Sequence, residues 1–294
     1  MVHTTVLLHE AVDGLNLKQG SVFVDATLNA GGHSQEVLNK LDGNVRVIGI
    51  DVDADAIVRA KEKLSTSNVT FFQENFRNID KVLDQAGVEC VDGIIFDLGL
   101  SSNQIEESGR GFSFKTSEPL LMTMKKDLQS NDITAHEIVN SWGEESIADI
   151  IYGYGEDRFA RRIAKAIITA REIKPIETAE QLSEIIASAV PKFGFKKINP
   201  ATKTFQAIRI AVNDELGAIK EVLPKAFARL NHGGRISIIS FHSLEDRIVK
   251  RFFKEKSEAG EGRLITKKPI TPSSQEIAEN PRSRSAKLRI IEKI

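Results

Sequence analysis

Val22-Phe-Val-Asp-Ala-Thr-Leu-Asn-Ala-Gly-Gly-His-Ser34 decides the fold. A short apolar run, Val22 to Val24, ends in Asp25. A turn of small residues follows, with Gly31 and Gly32 side by side, and a helical pattern runs from Gln35 to Leu41. Strand, glycine turn and helix in this order open a nucleotide-binding α/β unit. Glycine suits such a turn because a side chain would block close approach of a ligand to the backbone. A second apolar strand, Val45 to Ile50, ends in Asp51, about 20 residues past the glycines, where such folds place an acid on ribose hydroxyls. A third, Gly93 to Phe96, ends in Asp97.

Three strands therefore each end in an aspartate. Ligands of open parallel sheets sit beyond the carboxyl ends of the strands. A single Asp there reads as a helix cap or turn residue. Three at matching places point to a ligand rich in hydroxyl and amino groups.

The chain around this stretch has 294 residues, enough for one large domain or two. Its 41% hydrophobic and 28% charged content is that of a soluble globular protein. No apolar run approaches the ~20 residues of a membrane helix, and Met1-Val-His-Thr-Thr5 is no secretory leader. Cys90 is the only cysteine, which excludes an internal disulfide or a cysteine metal cluster and fits a reducing cytoplasm. The net charge is −1, but it is unevenly spread. Residues 233–294 hold 14 Lys+Arg against 8 Asp+Glu, a net of +6, and the remainder carries −7. A basic end is a candidate phosphate-binding surface or a solvated tail.

Ahead of the first strand, residues 3–17 predict a short helix covering one edge of the sheet. After Asp51, residues 54–64 predict a helix with Ala56, Ile57, Ala60 and Leu64 on its apolar face, then a strand at Val69–Phe72. Phe76, just past that strand, is placed either to stack on a flat base or to join the core. Residues 77–87 predict another helix. From about Asn131 to Val190 the pattern is helical throughout. Ser141 with Glu144 and Thr178 with Gln181 have capping-box spacing, and Pro175 ends a basic helix at Arg158–Arg171. These signals divide the chain into an α/β domain, residues 1–107 and 201–294, and an inserted helical domain, residues 108–200.

In the returning α/β segment, Phe205, Ile208, Val212 and Leu216 share one helix face. Gln206, Arg209 and Asn213 share another, an amide–guanidinium–amide row suited to hydrogen-bonding a base or phosphate, or else an ordinary solvated face. A strand at 233–239 leads to Ser240-Phe-His-Ser243 and a basic helix, Glu245–Lys256. The basic tail carries Arg282, Arg284, Lys287 and Arg289.

A nicotinamide dehydrogenase normally shows G-x-G-x-x-G, and here the third glycine is missing. S-adenosylmethionine has no phosphates. It needs a ribose acceptor, an adenine slot and an acceptor for its amino group, which Asp51, Phe76, and Asp25 or Asp97 could supply. The motifs thus favour a methyltransferase over a dehydrogenase. His33 reads as a base, a contact to the cofactor carboxylate or a turn residue, and His242 as a helix cap or a cleft residue. No metal-ligand spacing stands out.

The segments His3–Leu8, Gly31–Ser34, Asp97–Ser102, Gly109–Phe114, Tyr154–Ala160, Thr204–Arg209, Ser240–Arg247 and Asn280–Ser285 together resemble the bacterial small-subunit ribosomal RNA cytosine-N4 methyltransferases, the MraW/RsmH family. The match runs nearly end to end. It implies a class I, Rossmann-like S-adenosylmethionine methyltransferase fold with an inserted all-helical domain. The implied substrate is the exocyclic N4 of a cytidine in the decoding centre of 16S rRNA, with the small ribosomal subunit as partner and no membrane. It carries cofactor contacts to Gly31, Gly32, His33, Asp51, Phe76, Asp97 and Gln104. Asp97, Ser101 or Ser102 is then the candidate acceptor for the N4 proton. Gln206, Arg209, Asn213, Ser240, His242, Arg282 and Arg284 are candidates for gripping the RNA. Oligomeric state is left open, a dimer included.

The chain departs from the family where Pro-Leu-Asp-Met-Arg-Met is usual. It reads Pro119-Leu-Leu-Met-Thr-Met124, so that Leu121 and Thr123 replace an acid and an arginine. That departure motivates an alternative function, a ribosome-assembly or RNA-binding factor that keeps the cofactor pocket with impaired catalysis.

Overall fold

The computed structural model describes residues 5–114, 116–191 and 199–294. His3 and Thr4, which open the first family segment, and the side chain of Ser102 lie outside the described parts. In chain order the elements begin α1 (Leu8–Leu15), β1 (Val22–Asp25), α2 (Gly32–Lys40), β2 (Arg46–Asp51), α3 (Ala54–Lys63), β3 (Val69–Gln73), α4 (Ile79–Gln85) and β4 (Val91–Asp97). Helices follow: α5 (Ser102–Glu106), α6 (Ala135–Ser141), α7 (Glu144–Gly155), α8 (Ala160–Ile173), α9 (Ala179–Ala189), α10 (Thr202–Asn213) and α11 (Glu215–Ala228). The chain closes with β5 (Leu230–Ser240), α12 (Ser243–Glu258), β6 (Gly262–Leu264), α13 (Ser274–Glu279) and β7 (Lys287–Lys293).

The chain forms two compact units, Met1–Gly99 with Leu216–Ile294, and Leu100–Glu215. The first is built on one seven-stranded sheet of order β3-β2-β1-β4-β5-β7-β6. β1 to β5 pair in parallel, and β7 lies antiparallel to both β5 and β6. Strand order reverses between β1 and β4, the place where open α/β sheets leave a crevice at their carboxyl ends.

Alternation along the strands supplies both faces of this sheet. Val24, Ile48, Ile94, Phe96, Ile236 and Ile238 pack against α4, α11 and α12. Phe23, Val47, Ile95, Ile239, Leu288 and Ile290 point the other way, against α1, α2 and α3. The opening helix does not cover an edge of the sheet, as the sequence suggests. Its Ala11, Val12 and Leu15 join the second core, and a Cβ on Gly14 would collide with Ile290 of the internal strand β7. Gly14 therefore lets α1 lie flat on the sheet face.

The second unit is helical. Its core gathers Leu120, Met122, Ile138, Ile151, Ile163, Leu182, Phe205 and Ile208. The helical unit thus runs from residue 100 to 215, further on both sides than the 108–200 read from the sequence. The apolar stripe of α10 is the reason, since Phe205 and Ile208 are buried in this core rather than against the sheet. Ser141 caps nothing. It is the last residue of α6, and Gly143 stands at the N-cap of α7. Thr178 and Gln181 do form the reciprocal capping box of α9.

Candidate functional site

The glycine turn is shaped first by the protein's own packing. Gly31 takes the left-handed conformation (φ 70°) at the start of α2, and a Cβ there would strike Leu64. A Cβ on Gly32 would run into the Thr5 side chain. Contacts within the unit therefore also favour glycine at both positions, where the sequence suggests only ligand approach. His33 is buried, with Nε2 3.2 Å from the carbonyl oxygen of Val6. It fastens the turn to the segment that leads into α1.

The turn then aims its amides at the sheet. The backbone N–H of Asn29 donates to Oδ2 of Asp51 (2.8 Å), and the N–H of Asp53 donates to Oδ1 (2.9 Å). Each carboxylate oxygen keeps a further lone pair. Asp25 accepts a 2.7 Å hydrogen bond from the Ser34 hydroxyl through one oxygen, while its other oxygen is buried without a protein partner. Asp97 is likewise buried with Oδ1 unpartnered, and its backbone N–H donates to Thr27 Oγ1 at 2.6 Å.

These partners explain the electrostatics. Burial pushes Asp97 up to about 7, aided by the neighbouring charges of Asp25 and Glu245 and opposed by the amide of Gly99. Burial also raises Asp25 to about 6 against the Ser34 hydroxyl bond, and Asp51 to about 6 against its two amide donors. Asp25 pairs in register with Ile95, and Asp97 lies two residues further along β4. Two carboxylates with unused acceptors therefore stand at the switch point of the sheet, with Asp51 one strand further out. A buried acceptor without a partner is costly unless a donor arrives. The set suits a ligand presenting an ammonium group and hydroxyls.

Phe76 meets Phe96 edge to face, with centroids 5.8 Å apart, and packs half-buried against the core. It is therefore core on one side and available to a flat ring on the other. Sequence reasoning missed Thr27, Ser34 and Glu245. Ser34 could have been found as the first hydroxyl of the helix after the glycines. Glu245 follows His242 at capping-box spacing, but histidine is not among the usual cap residues.

Several of the expected site residues are engaged elsewhere. Ser101 caps α5, and Gln104 answers it, with its Oε1 accepting the Ser101 N–H at 3.0 Å. Their visible role is to fix the start of that helix. The Gln206, Arg209 and Asn213 row is half-buried and bonded within the helical unit. Gln206 donates to the carbonyl of Tyr154, and Arg209 clasps Glu215 through two bonds of 2.8 and 2.9 Å. Asn213 donates to the carbonyls of Met122 and Arg209 and accepts from the N–H of Met124. Ser240 is buried, its hydroxyl directed at the Lys287 carbonyl, so it does not present a donor to RNA. His242 is the N-cap of α12, where Nδ1 accepts from the N–H of Glu245, and Glu245 accepts in return from the N–H groups of Phe241 and His242. Arg282 and Arg284 stand exposed on a short 3₁₀ turn at Pro281–Ser285.

The segment that departs from the family is held in the helical unit by backbone bonds. Met122 donates to the Arg110 carbonyl, Leu121 accepts from the Ala135 N–H, and Arg110 reaches the Met124 carbonyl. The Thr123 hydroxyl donates to the carbonyl of Lys125. Neither Leu121 nor Thr123 leaves a buried charge unpaired, so the replacement of both charged residues is structurally self-consistent.

Residues 1–294 match the model of the MraW methylase family. Among curated proteins the chain is similar to Ribosomal RNA small subunit methyltransferase H of Clostridium botulinum (strain Kyoto / Type A2), with 46% identity over 308 residues and 99% of each chain covered. The proteins of the same name from Clostridioides difficile (strain 630) and Paenibacillus sp. (strain JDR-2) are 46% and 45% identical, again over 99% of each chain. No described helix is long and apolar enough to cross a membrane.

Proposed function

The chain belongs to the MraW methylase family, and from that premise we propose that it methylates the exocyclic N4 of a cytidine in the decoding centre of 16S rRNA. The reaction is an S-adenosylmethionine-dependent rRNA methyl transfer. The observation that carries this reading is the pair of buried, incompletely partnered carboxylates Asp25 and Asp97 at the switch point, with Asp51 beside them. The residues fit the methyl donor, which supplies an electrophilic methyl on a sulfonium when bound. Asp51 has lone pairs left for ribose hydroxyls, the charges of Asp25 and Asp97 favour the ammonium, and Phe76 offers a ring face for adenine.

The cytosine amine is a weak nucleophile because its lone pair is delocalised into the ring. The site's contribution is to orient it and to accept the proton it loses on methylation. Asp97 fits that task. Burial pushes its carboxyl up to about 7, which makes it a stronger proton acceptor than an exposed carboxylate, and a neighbouring sulfonium favours its ionised, accepting form. Its carboxylate, which keeps a small exposed area, is the group to receive the N4 proton. The target base leaves its stack to reach such a pocket. Arg282 and Arg284, exposed on their turn, are the remaining candidates to hold its phosphates. The retained fold around Leu121 and Thr123 gives no support to a non-catalytic assembly factor. Cells in which this gene is the only copy should carry N4-methylcytidine in their small-subunit rRNA. Rejection of the reading would come from rRNA without that nucleoside while the protein accumulates normally.

A further inference from the structure

The exposed face of α12 carries a row of cations that the proposed chemistry does not use. Arg247, Lys250, Arg251 and Lys254 recur at i, i+3, i+4 and i+7, so they share one stripe of the helix. All four are exposed, while Val249 and Phe253 face the core on the other side. Lys250 and Arg251 have no acidic partner among the described residues. Lys254 meets Glu258 at 3.3 Å, and both are about two-thirds exposed, so that pair is weak. Glu255 and Glu258 lie toward the far end of the helix, and at the end nearest the sheet's carboxyl edge the acids, Glu245 and Asp246, are buried, so the exposed charged side chain there is Arg247.

Topology places this stripe beside the site. α12 leaves β5 at its carboxyl end, next to the end of β4 that holds Asp97. β7 starts at the same level, since Lys287 pairs with Ser240 and Leu288 with Ile239, which in turn pairs with Asp97. Two strand spacings, about 10 Å, separate the acid from the start of β7. The Pro281–Ser285 turn with Arg282 and Arg284 immediately precedes it. Asp246 ties helix to strand, bonding Arg289 at 2.6 Å and Lys287 at 3.3 Å. The stripe therefore continues from Lys287 and the 281–285 turn and runs about 10 Å from Arg247 to Lys254, room for two or three phosphates.

We propose that Arg247, Lys250, Arg251 and Lys254 form a phosphate-binding track for the RNA strand flanking the target nucleotide, continuous with Lys287, Arg284 and Arg282. This rests on the reading that the substrate is rRNA. The track contacts backbone and not bases, so it positions the strand without reading its sequence.

The test is the full chain with Lys250→Gln, Arg251→Gln and Lys254→Gln together, all surface changes. Binding is followed against salt, using a single-stranded RNA oligonucleotide of unrelated sequence. Loss of three phosphate contacts should lower the slope of log K against log salt by about 2 and weaken binding by roughly tenfold or more near 0.1 M salt. S-adenosylmethionine affinity should stay unchanged. A Lys250→Arg/Lys254→Arg variant should bind as the parent does. An unchanged slope and affinity in the triple Gln variant overturns the track. If the parent still methylates small ribosomal subunits in that case, the functional reading stands without it. A parent chain that binds no RNA at any salt overturns both.

Discussion

Asp97→Asn should stabilise the protein and abolish its chemistry. The Asp97 carboxyl is raised from 3.8 to about 7, first by burial and then by Asp25, with Glu245 adding to it. Its folded pKa lies above its unfolded one, so its contribution to stability is fully present below pH 4 and is lost as pH rises through 7. At about 1.4 kcal/mol for each pH unit between the two values, the loss reaches about 4 kcal/mol by pH 8. Asparagine keeps the size, keeps an oxygen for the Gly99 amide and leaves the Asp97 N–H bond to Thr27 intact, but carries no charge. Urea unfolding of parent and variant without ligand should coincide near pH 4. The variant should gain steadily to about 4 kcal/mol above pH 7, while methyl transfer is lost because no carboxylate remains to take the N4 proton. A stability difference that is flat with pH, or a variant less stable at pH 8, would refute the reasoning. So would Asp97→Asn with full activity.

Asp51→Asn should weaken S-adenosylmethionine binding by roughly 1–3 kcal/mol in calorimetry, and unchanged affinity would remove Asp51 from the ribose role. Asp25, Asp51 and Asp97 should all be held ionised by a cationic, hydroxyl-bearing ligand, so affinity for S-adenosylmethionine should rise with pH through 6–7 with proton release in calorimetry. Gly32→Ala should cost roughly 1–3 kcal/mol by overpacking against Thr5, and Thr5→Ala should recover much of it in thermal melts. Asn213→Ala should destabilise the chain by roughly 1–3 kcal/mol through lost bonds to Met122 and Met124, yet leave the salt dependence of RNA binding unchanged. A shallower salt slope in that variant would restore Asn213 as an RNA contact.

The α/β unit is legible in the sequence because its signals are local. Apolar runs of strand length, each closed by an aspartate, state both the sheet and the edge where ligands sit, and Val22–Ser34, Asp51 and Asp97 all lie where that pattern puts them. What escapes depends on partners distant in sequence. The Gln206, Arg209 and Asn213 row has the spacing of a binding face, but Gln206 and Asn213 find their partners at Tyr154, Met122 and Met124, far back along the chain. The same distance hides why Gly31 and Gly32 are glycines, since Leu64 and Thr5 set the limit. The apolar stripe of α10 says that the helix is buried, not against which core, so the sequence assigns it to the sheet and the structure to the helical unit. The basic helix α12 is visible in the sequence, but its relation to the 281–285 turn requires the antiparallel return of β7.

The most direct test of the central claim offers the purified protein and labelled S-adenosylmethionine to unmodified small ribosomal subunits, with nucleoside mass spectrometry of the recovered rRNA. N4-methylcytidine at one site, absent with Asp97→Asn, is the predicted result. Intact S-adenosylmethionine binding with no methyl transfer to rRNA, or transfer to a different nucleoside, would contradict it.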